Sequence, residues 1–369
     1  MSDDYALPTD LVGLGYTDRE RALFAPLIEQ GLFAARVARV DRGLPLVASE
    51  RGLERAEPAM HLLKSADDAF SRVVVGDWVA LARPDTHDMP IIEAILPRHG
   101  AFTRKDPGEQ TGEQVIIANV DLVFVVQSLS GSGINISRLE RELVLVWESG
   151  ARPVVVLTKS DLTDIADEQR TIAEEVAFGV DVVVESVVTG EGIENVRAHV
   201  PLGVTAAILG SSGVGKSTLL NRLIGEDVLA TAEVRVGDDK GRHTTVAREL
   251  VALPGGGVVI DTPGMRAIGL WEATDGLAAA FPDIEALAER CRFRDCAHEA
   301  EPGCAVIAAA ESGDLAQRRL DSYRRLTSEL EAVARKQDEK AWREKEQAAK
   351  VISKAAKRFN TTEPKRRGR

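Results

Sequence analysis

The chain has 369 residues, of which 44% are hydrophobic and 28% are charged, and its formal net charge is −12. This length predicts two or three domains, and the composition excludes a disordered or fibrous protein. All three cysteines lie between residues 291 and 304, so a disulfide framework is excluded and metal binding becomes the first question.

The charge is unevenly distributed along the chain. Residues 335–369 hold 13 Lys/Arg against 5 Asp/Glu, a net charge of +8, and the remaining residues carry −20. A basic arm on an acidic body is compatible with a polyanionic partner, but charge alone favours the alternative, a solvated helix and tail. The sequence contains no apolar run of the roughly 18 residues that a membrane span needs. Its acidic start is not expected to be a secretory signal. We therefore expect a cytoplasmic protein without membrane contact.

In chain order, residues 1–30 are predicted to form an irregular leader. Residues 31–97 contain five short apolar runs between turn signals, which predicts a small OB-like or SH3-like β-barrel. The predicted strands are Phe33–Val40, Leu44–Ala48, Met60–Leu63, Val73–Leu81 and Ile91–Leu96. Residues 98–112 are polar and contain Pro107, which predicts a linker.

From residue 113 the pattern alternates between buried strands and amphipathic helices, which predicts a doubly wound α/β sheet over residues 113–269. The strands, all expected to be parallel, are Ile116–Val126, Val154–Leu157, Val182–Val184, Val204–Leu209, Glu249–Leu253 and Val258–Ile260. The helices are Ser137–Glu148, Asp167–Phe178, Ile193–His199 and Lys216–Ile224. Residues 270–335 are predicted to form a helical, metal-binding domain, and residues 336–369 a basic helix and tail.

The strongest motif is the phosphate loop that follows the strand Val204–Leu209. Its sequence satisfies the pattern G-x4-G-K-[ST], and helix formers follow it. Glycines let such a loop approach phosphates closely, while backbone N–H groups and the helix N-terminus face the anion. Lys216 is expected to reach the β- and γ-phosphates, and the Ser217 hydroxyl to bind Mg²⁺. The predicted GTP-binding residues here are Gly210, Ser211, Ser212, Gly213, Val214, Gly215, Lys216, Ser217 and Thr218.

A second motif, Asp261-Thr-Pro-Gly264, ends the apolar strand Val258–Ile260. Asp261 is predicted to hold Mg²⁺ through water, and the Gly264 amide to contact the γ-phosphate. This motif is weak alone, but it gains weight from its position after the phosphate loop.

A third motif, Thr158-Lys159-Ser160-Asp161, ends another strand and resembles the guanine-specificity pattern N-K-x-D. A carboxylate at Asp161 suits guanine, whose N1–H and 2-amino group are paired donors. Ser186, after the strand Val182–Val184, is expected to close the base pocket. Thr158 stands where the pattern has Asn, which puts the rigidity of the loop in question.

These motifs occur in a permuted order, because base recognition at residues 158–186 precedes the phosphate loop and the switches at residues 241–264. An ordinary GTPase begins with the phosphate loop, so the domain is predicted to be circularly permuted. Termini that lie close together make such a permutation tolerable.

The fourth motif is Cys291-x4-Cys296-x-His298-x5-Cys304. Three thiolates and an imidazole form a closed tetrahedral Zn²⁺ site, which predicts one structural zinc ion rather than a catalytic one. Three unrelated buried thiols are the alternative.

Together these features resemble the family of circularly permuted, small-subunit-dependent ribosomal GTPases known as RsgA or YjeQ. The resemblance covers about residues 31–358 and includes the segment VGDWV at 75–79 and the segment GRHTT at 241–245, which matches the first switch. The leader is unmatched, and Thr158 is a departure from the family pattern.

The resemblance implies an OB-fold, a GTPase domain and a zinc domain that act in late maturation of the small ribosomal subunit. It implies slow intrinsic GTP hydrolysis, stimulated by that subunit. The implied partners are the small subunit, its rRNA and GTP or GDP, and we expect a monomer. Mg²⁺ would be held with GTP by Ser217, Thr245 and Asp261, although the choice between Thr244 and Thr245 stays open.

Met265 occupies the position at which Ras-like enzymes place a water-orienting Gln, and Met cannot orient water. The resemblance makes His243, in the first switch, the substitute catalytic residue. The alternative is an exposed loop histidine.

Two other functions fit part of the pattern. An RNA-binding or chaperone-like module would use its nucleotide site mainly for stability. A P-loop ATPase or kinase would require Asp161 to be incidental.

Overall fold

The computed structural model describes residues 7, 10–41, 44–64, 72–105, 113–131, 133–225, 248–261 and 273–335. The chain folds as two compact units, the first comprising residues 1–269 and 275–286 and the second residues 270–274 and 287–369. In the part of the chain that is described, no helix has the combination of length and apolar character that a bilayer crossing requires.

Fourteen strands are found among these residues: β1 (Phe33–Asp41), β2 (Leu44–Ser49), β3 (Gly52–Arg55), β4 (Glu57–Pro58), β5 (Trp78–Ala82), β6 (Ile91–Ile95), β7 (Phe102–Lys105), β8 (Glu113–Ile117), β9 (Leu122–Ser128), β10 (Arg152–Thr158), β11 (Val182–Val184), β12 (Thr205–Gly210), β13 (Glu249–Ala252) and β14 (Val258–Asp261). The helices are α1 (Asp18–Ile28), α2 (Met60–Lys64), α3 (Ile136–Glu148), α4 (Ala166–Val176), α5 (Ile193–Ala198), α6 (Lys216–Ile224), α7 (Thr274–Ala280), α8 (Pro282–Ala288), α9 (Ala305–Ser312) and α10 (residues 317–335).

The centre of the first unit is a parallel sheet in the order β11–β10–β9–β12–β14. One apolar cluster packs α3 and α4 against one face of this sheet. A second cluster packs α5 and α6 against the other face. The doubly wound α/β arrangement predicted from the alternating pattern is therefore confirmed. All five strands end at the same edge, which is where α/β proteins bind ligands.

The prediction that every strand of this sheet is parallel was wrong for β13. It pairs antiparallel with β14, with Leu250 opposite Ile260, and antiparallel with β1, with Arg39 opposite Glu249. The physical reason is the short turn at residues 253–257, in which the Leu253 N–H donates to the Gly257 carbonyl at 2.9 Å. A parallel crossover needs about a dozen residues or more.

The strands of residues 31–97 are continuous with this sheet through the β1–β13 pair, so one sheet holds 12 strands. Their order is β3–β2–β1–β5–β6–β4. Among the described residues no ladder joins β3 to β4, so a closed OB-like barrel stays a prediction. The strand predicted at Met60–Leu63 was wrong, because these residues form α2 and leave Met60 and Leu63 exposed. A short apolar run does not distinguish strand from helix.

The irregular leader predicted at residues 1–30 was also wrong where the chain is described. Helix α1 begins after a capping box in which the Thr17 N–H donates to the Glu20 carboxylate at 2.9 Å. Phe24 of this helix is fully buried, and its ring meets that of Trp78 edge-on with centroids 6.2 Å apart. A weak apolar stripe and an internal Pro26 hide this helix from a periodicity argument.

The linker predicted at residues 98–112 is partly a strand. Residues 102–105 form β7, which pairs antiparallel with β8, and both Phe102 and Val115 are buried. The single strand predicted at Ile116–Val126 is divided into β8 and β9, because Asn119 adopts the left-handed conformation with φ 56°. The Asn119 side chain fixes this break by donating to the Gly76 carbonyl at 3.0 Å.

In the second unit, an irregular segment bearing the cysteines leads into α9, whose C-cap is Gly313 (φ 85°). Helix α10 follows, and its buried residues Leu320, Leu326 and Leu330 lie on its inner face. The predicted basic helix and tail, residues 336–369, lie outside the described residues.

Candidate functional site

The phosphate loop lies where the sequence placed it, between the end of β12 and the start of α6. Gly210 requires its lack of a side chain, because a Cβ there would lie 2.5 Å from the Val126 carbonyl oxygen on the neighbouring strand. Gly215 precedes α6 with φ 103°, a conformation that glycine adopts without strain. The N-terminus of α6 therefore faces the concave side of the phosphate loop.

The Lys216 ammonium folds back over this loop. It donates to the Gly210 carbonyl at 2.8 Å and to the Ser211 carbonyl at 2.5 Å. Ser217 and Thr218 are exposed on the first turn of α6. A lysine on these carbonyls lies within reach of an anion bound to the loop, so the arrangement suits phosphate.

Asp261 ends β14, and β14 runs parallel to β12 in a register that pairs Ile260 with Ala207. The Asp261 carboxylate and the phosphate loop therefore belong to the same edge of the sheet. The other switch residues predicted from the sequence, His243, Thr244, Thr245 and Gly264, lie outside the described residues.

The predicted base-recognition loop contacts the phosphate loop directly. Thr158 ends β10, is 1% exposed, and its hydroxyl donates to the Val214 carbonyl at 2.6 Å. Lys159 is in the left-handed conformation with φ 63°, and its ammonium donates to the Gly213 carbonyl at 2.7 Å. Two side chains of one loop thus hold the backbone of the other, although the loops are more than fifty residues apart in sequence.

Asp161 and Ser186 are brought together at the far end of this loop. The Ser186 hydroxyl donates to Asp161 Oδ1 at 2.6 Å, and it accepts the Thr189 N–H at 3.2 Å. The serine thereby fixes one carboxylate oxygen of the exposed Asp161. A cavity of about 430 Å³ opens beside this pair, lined by Ser160, Asp161, Thr189, Gly192, residues 182–184 of β11 and the N-terminal part of α4.

Glu185 is a buried acid beside this pair that no sequence motif predicts. It is 1% exposed, and its Oε2 has no hydrogen-bond partner among the described residues. Burial and the neighbouring Asp161 carboxylate raise the pKa of Glu185 to about 7. Its position directly after an apolar strand was the only signal in the sequence, and that signal does not reveal burial.

A second missed group lies behind the phosphate loop. Glu142 of α3 is buried and accepts the Gln127 amide at 2.7 Å. Burial raises its pKa to about 7, against the opposing effects of Gln127, Arg138 and Lys216. Arg138, one turn earlier on α3, donates to the Ser211 hydroxyl. The sequence signal for Glu142 was an acidic residue within the apolar stripe formed by Leu139, Leu143 and Val146.

The four predicted metal ligands come together in the second unit. Their ligand atoms all lie within 4.8 Å of one another. The Cys291 and Cys304 sulfurs are 3.8 Å apart, and His298 Nδ1 lies 3.6 Å and 3.4 Å from them. A tetrahedral ion with Zn–S bonds of about 2.3 Å would separate two thiolates by roughly 3.8 Å. The donor set and its spacing therefore fit Zn²⁺.

The backbone around this cluster is held by two charged side chains. The Glu301 carboxylate accepts the N–H groups of Ala297, Glu299 and Ala300 at 2.9 to 3.1 Å. From α10, Arg324 Nε donates to the His298 carbonyl at 2.7 Å. Such outer contacts orient the ligands of a metal site.

Comparison with known proteins relates this chain to two families of GTPases. A family model described as RsgA GTPase matches residues 95–271. A second family model, described as 50S ribosome-binding GTPase, matches residues 205–343.

Two curated relatives cover nearly the whole chain. The "Small ribosomal subunit biogenesis GTPase RsgA" of Streptomyces avermitilis is 47% identical over 331 residues, covering 89% of this chain and 88% of the relative. The protein of the same name from Streptomyces coelicolor is 45% identical over 334 residues, covering 90% and 89%.

Two solved structures share the fold. YjeQ from Thermotoga maritima matches with a TM-score of 0.61 and 28% identity, covering 81% of this chain and 98% of that protein. YloQ, described as a circularly permuted GTPase, matches with a TM-score of 0.61 and 25% identity, covering 82% and 96%. The permuted P-loop GTPase fold predicted from the motif order is confirmed by these matches.

Proposed function

Because the chain belongs to the RsgA family of GTPases, we propose that it hydrolyses GTP in the maturation of the small ribosomal subunit. The observation that carries this proposal is the contact between the two nucleotide loops, where the Thr158 hydroxyl meets the Val214 carbonyl at 2.6 Å. This contact supports one continuous site, with phosphates at one end and a base at the other. The small ribosomal subunit is proposed as the partner because the relatives are named after its biogenesis.

The proposed roles follow from the positions of the side chains. Lys216 leaves its loop carbonyls to bind the β- and γ-phosphates, and the loop residues 210–218 wrap them through N–H groups. Asp161, held by Ser186, accepts the N1–H and 2-amino groups of guanine. Ser217, Thr245 and Asp261 would hold Mg²⁺, which neutralises phosphate charge when it is bound.

We assign catalysis to the first switch. Met265 gives the attacking water no hydrogen-bonding guide, so His243 is proposed to orient it. Docking on the small subunit would bring the imidazole within hydrogen-bond reach of the water. Intrinsic hydrolysis is then slow, and the subunit stimulates it.

The remaining assignments concern the parts outside the nucleotide site. Cys291, Cys296, His298 and Cys304 would hold one structural Zn²⁺, which supplies folding energy to the second unit when it is bound. Residues 31–97 are proposed to form an OB-like barrel, and the basic residues 336–369 are proposed to contact a polyanionic partner such as rRNA. We propose a cytoplasmic monomer.

The test measures GTP turnover by the full chain alone, with purified small subunits, and with large subunits. The proposal expects stimulation by small subunits only, and the large-subunit arm matters because one matching family model is described as 50S ribosome-binding. His243→Ala should reduce stimulated turnover on the order of 10²-fold, as the loss of a positioned catalytic group does, while GTP affinity is retained. A pelleting assay confirms that the variant still docks.

Equal turnover with and without small subunits would favour the alternative, an RNA-binding module whose nucleotide site is mainly structural. Full stimulation of a docked His243→Ala protein would move the catalytic role to another group. Stimulation by large subunits alone would overturn the assignment of the partner.

A further inference from the structure

The Thr158 side chain can donate one hydrogen bond, and the structure identifies its acceptor. A hydroxyl carries one donor hydrogen. The Thr158 hydroxyl lies 2.6 Å from the Val214 carbonyl oxygen and 3.4 Å from that of Gln127. The shorter distance is that of a strong O–H···O bond, so the hydrogen is given to the phosphate loop.

The side chain has little freedom to turn elsewhere. Thr158 is 1% exposed at the end of β10, in a register that pairs it with Ser128 of β9. Its branched Cβ restricts χ1. A rotation toward a bound base would leave the buried Val214 carbonyl without this donor, and that loss is costly. Lys159 holds the adjacent Gly213 carbonyl at 2.7 Å in the same way.

Guanine presents two sets of groups to a protein. Its N1–H and 2-amino group are donors that suit the Asp161 carboxylate. Its O6 and N7 are acceptors that need donors from the protein. Because the hydroxyl hydrogen of Thr158 is already donated to Val214, the Thr158 side chain has no hydrogen to donate to the base.

Resting on the guanine site proposed above, we propose that Thr158 joins the two loops without reading the base, so that its side chain gives N7 of guanine no hydrogen bond. An amide at residue 158 would differ, because Asn carries two N–H hydrogens. One of them would keep the bond to Val214, and the other would be available to N7.

The experiment measures dissociation constants of GDP and 7-deaza-GDP, in which a C–H replaces N7, for the full chain and its variants. Wild type should bind the two nucleotides within twofold of each other. Thr158→Asn should prefer GDP by roughly 3- to 10-fold, the value of one neutral hydrogen bond. Thr158→Ser, which keeps the hydroxyl, should likewise bind GDP and 7-deaza-GDP within twofold of each other. Thr158→Val should weaken both nucleotides equally, because only the contact between the loops is lost.

The outcomes separate this proposal from the guanine site itself. In Asp161→Asn, preference should move from GDP toward xanthosine diphosphate, whose C2 carbonyl accepts from the new amide. If that shift fails, the guanine site is wrong. If it occurs and wild type binds 7-deaza-GDP fivefold or more weakly than GDP, the site stands and the proposal for Thr158 is overturned. The wild-type comparison does not depend on any variant folding.

Discussion

The nucleotide loops and the cysteine–histidine cluster are held in place by different forces. The two loops are fixed by strand ends, by glycine conformations and by side chains bonded to backbone carbonyls, as in the Thr158–Val214 contact of 2.6 Å. The cluster brings sulfur atoms to 3.8 Å from each other, a spacing at which thiolates repel unless a cation lies between them. The first site is organised by the fold alone, whereas the second is proposed to need a metal ion in addition to the contacts of Glu301 and Arg324. Removing the nucleotide should therefore leave the first unit folded, whereas removing the metal ion should unfold the second unit.

The largest effect is expected from loss of the metal. Cys304→Ser, or chelation of the wild type, should unfold residues 287–335, because structural zinc contributes about 10–16 kcal/mol in small domains, more than many domains' total stability. Hydrogen exchange and limited proteolysis report this region, and GDP affinity should stay within about twofold. Exposed Glu299→Gln is the control. A metal-free protein that keeps these residues protected would contradict the prediction.

Next in size is the loss of the ammonium at the phosphate loop. Lys216→Ala should weaken GTP binding by about 10-fold or more, since a charge-assisted hydrogen bond contributes about 1.5–3 kcal/mol. The melting temperature without nucleotide should change little, because the loop keeps its glycines and its contacts with Thr158 and Lys159. Lys64→Ala, an exposed lysine on α2, is the control. Unchanged GTP affinity in folded Lys216→Ala protein would remove the phosphate-loop assignment.

A smaller effect concerns the buried Glu185, whose pKa is raised to about 7 in the folded protein. The folded state then binds a proton more tightly than the unfolded state, so stability falls as pH rises from about 4.5 toward 7. Glu185→Gln should reduce that fall by on the order of 1–3 kcal/mol. Urea titrations without nucleotide at pH 5 and pH 8 measure it, with exposed Glu168→Gln as control. The same pH dependence in both variants would show that Glu185 titrates normally.

The smallest effect is expected where β1 meets β13. Arg39 and Glu249 lie opposite each other with a 3.5 Å ion pair, and both side chains are about one third exposed. A double-mutant cycle with Ala at each position should give a coupling below about 1 kcal/mol. A coupling above 2 kcal/mol would show that side chains, and not the backbone ladder, hold these strands together.

The contrast between the two sites also explains what was predictable from sequence. The phosphate loop and the cysteine spacing are local patterns in which each residue type has one dominant use, and the structure places them at a strand end and in one cluster. The parallel strands were predictable because apolar runs such as Val154–Leu157 alternate along the chain with longer amphipathic helices, a pattern typical of parallel α/β sheets.

What escaped prediction depends on contacts between distant segments. Helix α1 is stabilised by the packing of Phe24 against Trp78, a contact that its own weak periodicity does not encode. The pairing of β7 with β8 needs a partner strand across residues 106–112. The raised pKa values of Glu142 and Glu185 come from burial, which is a property of the assembled fold. The antiparallel direction of β13 was recoverable, since its turn to β14 is too short for a crossover.

The position of β13 has a mechanical consequence. The segment before it, residues 226–247, contains the predicted first switch, and its partner β14 ends at Asp261, where the second switch motif begins. The other edge of β13 is hydrogen-bonded to β1, which also pairs with β2 and β5. Hydrogen-bonded strands resist sliding, because a shift of one residue in register would move every side chain to the opposite face of the sheet. The strand between the two switch segments is therefore joined, in the plane of the sheet, to the N-terminal strands and not only to its neighbour β14.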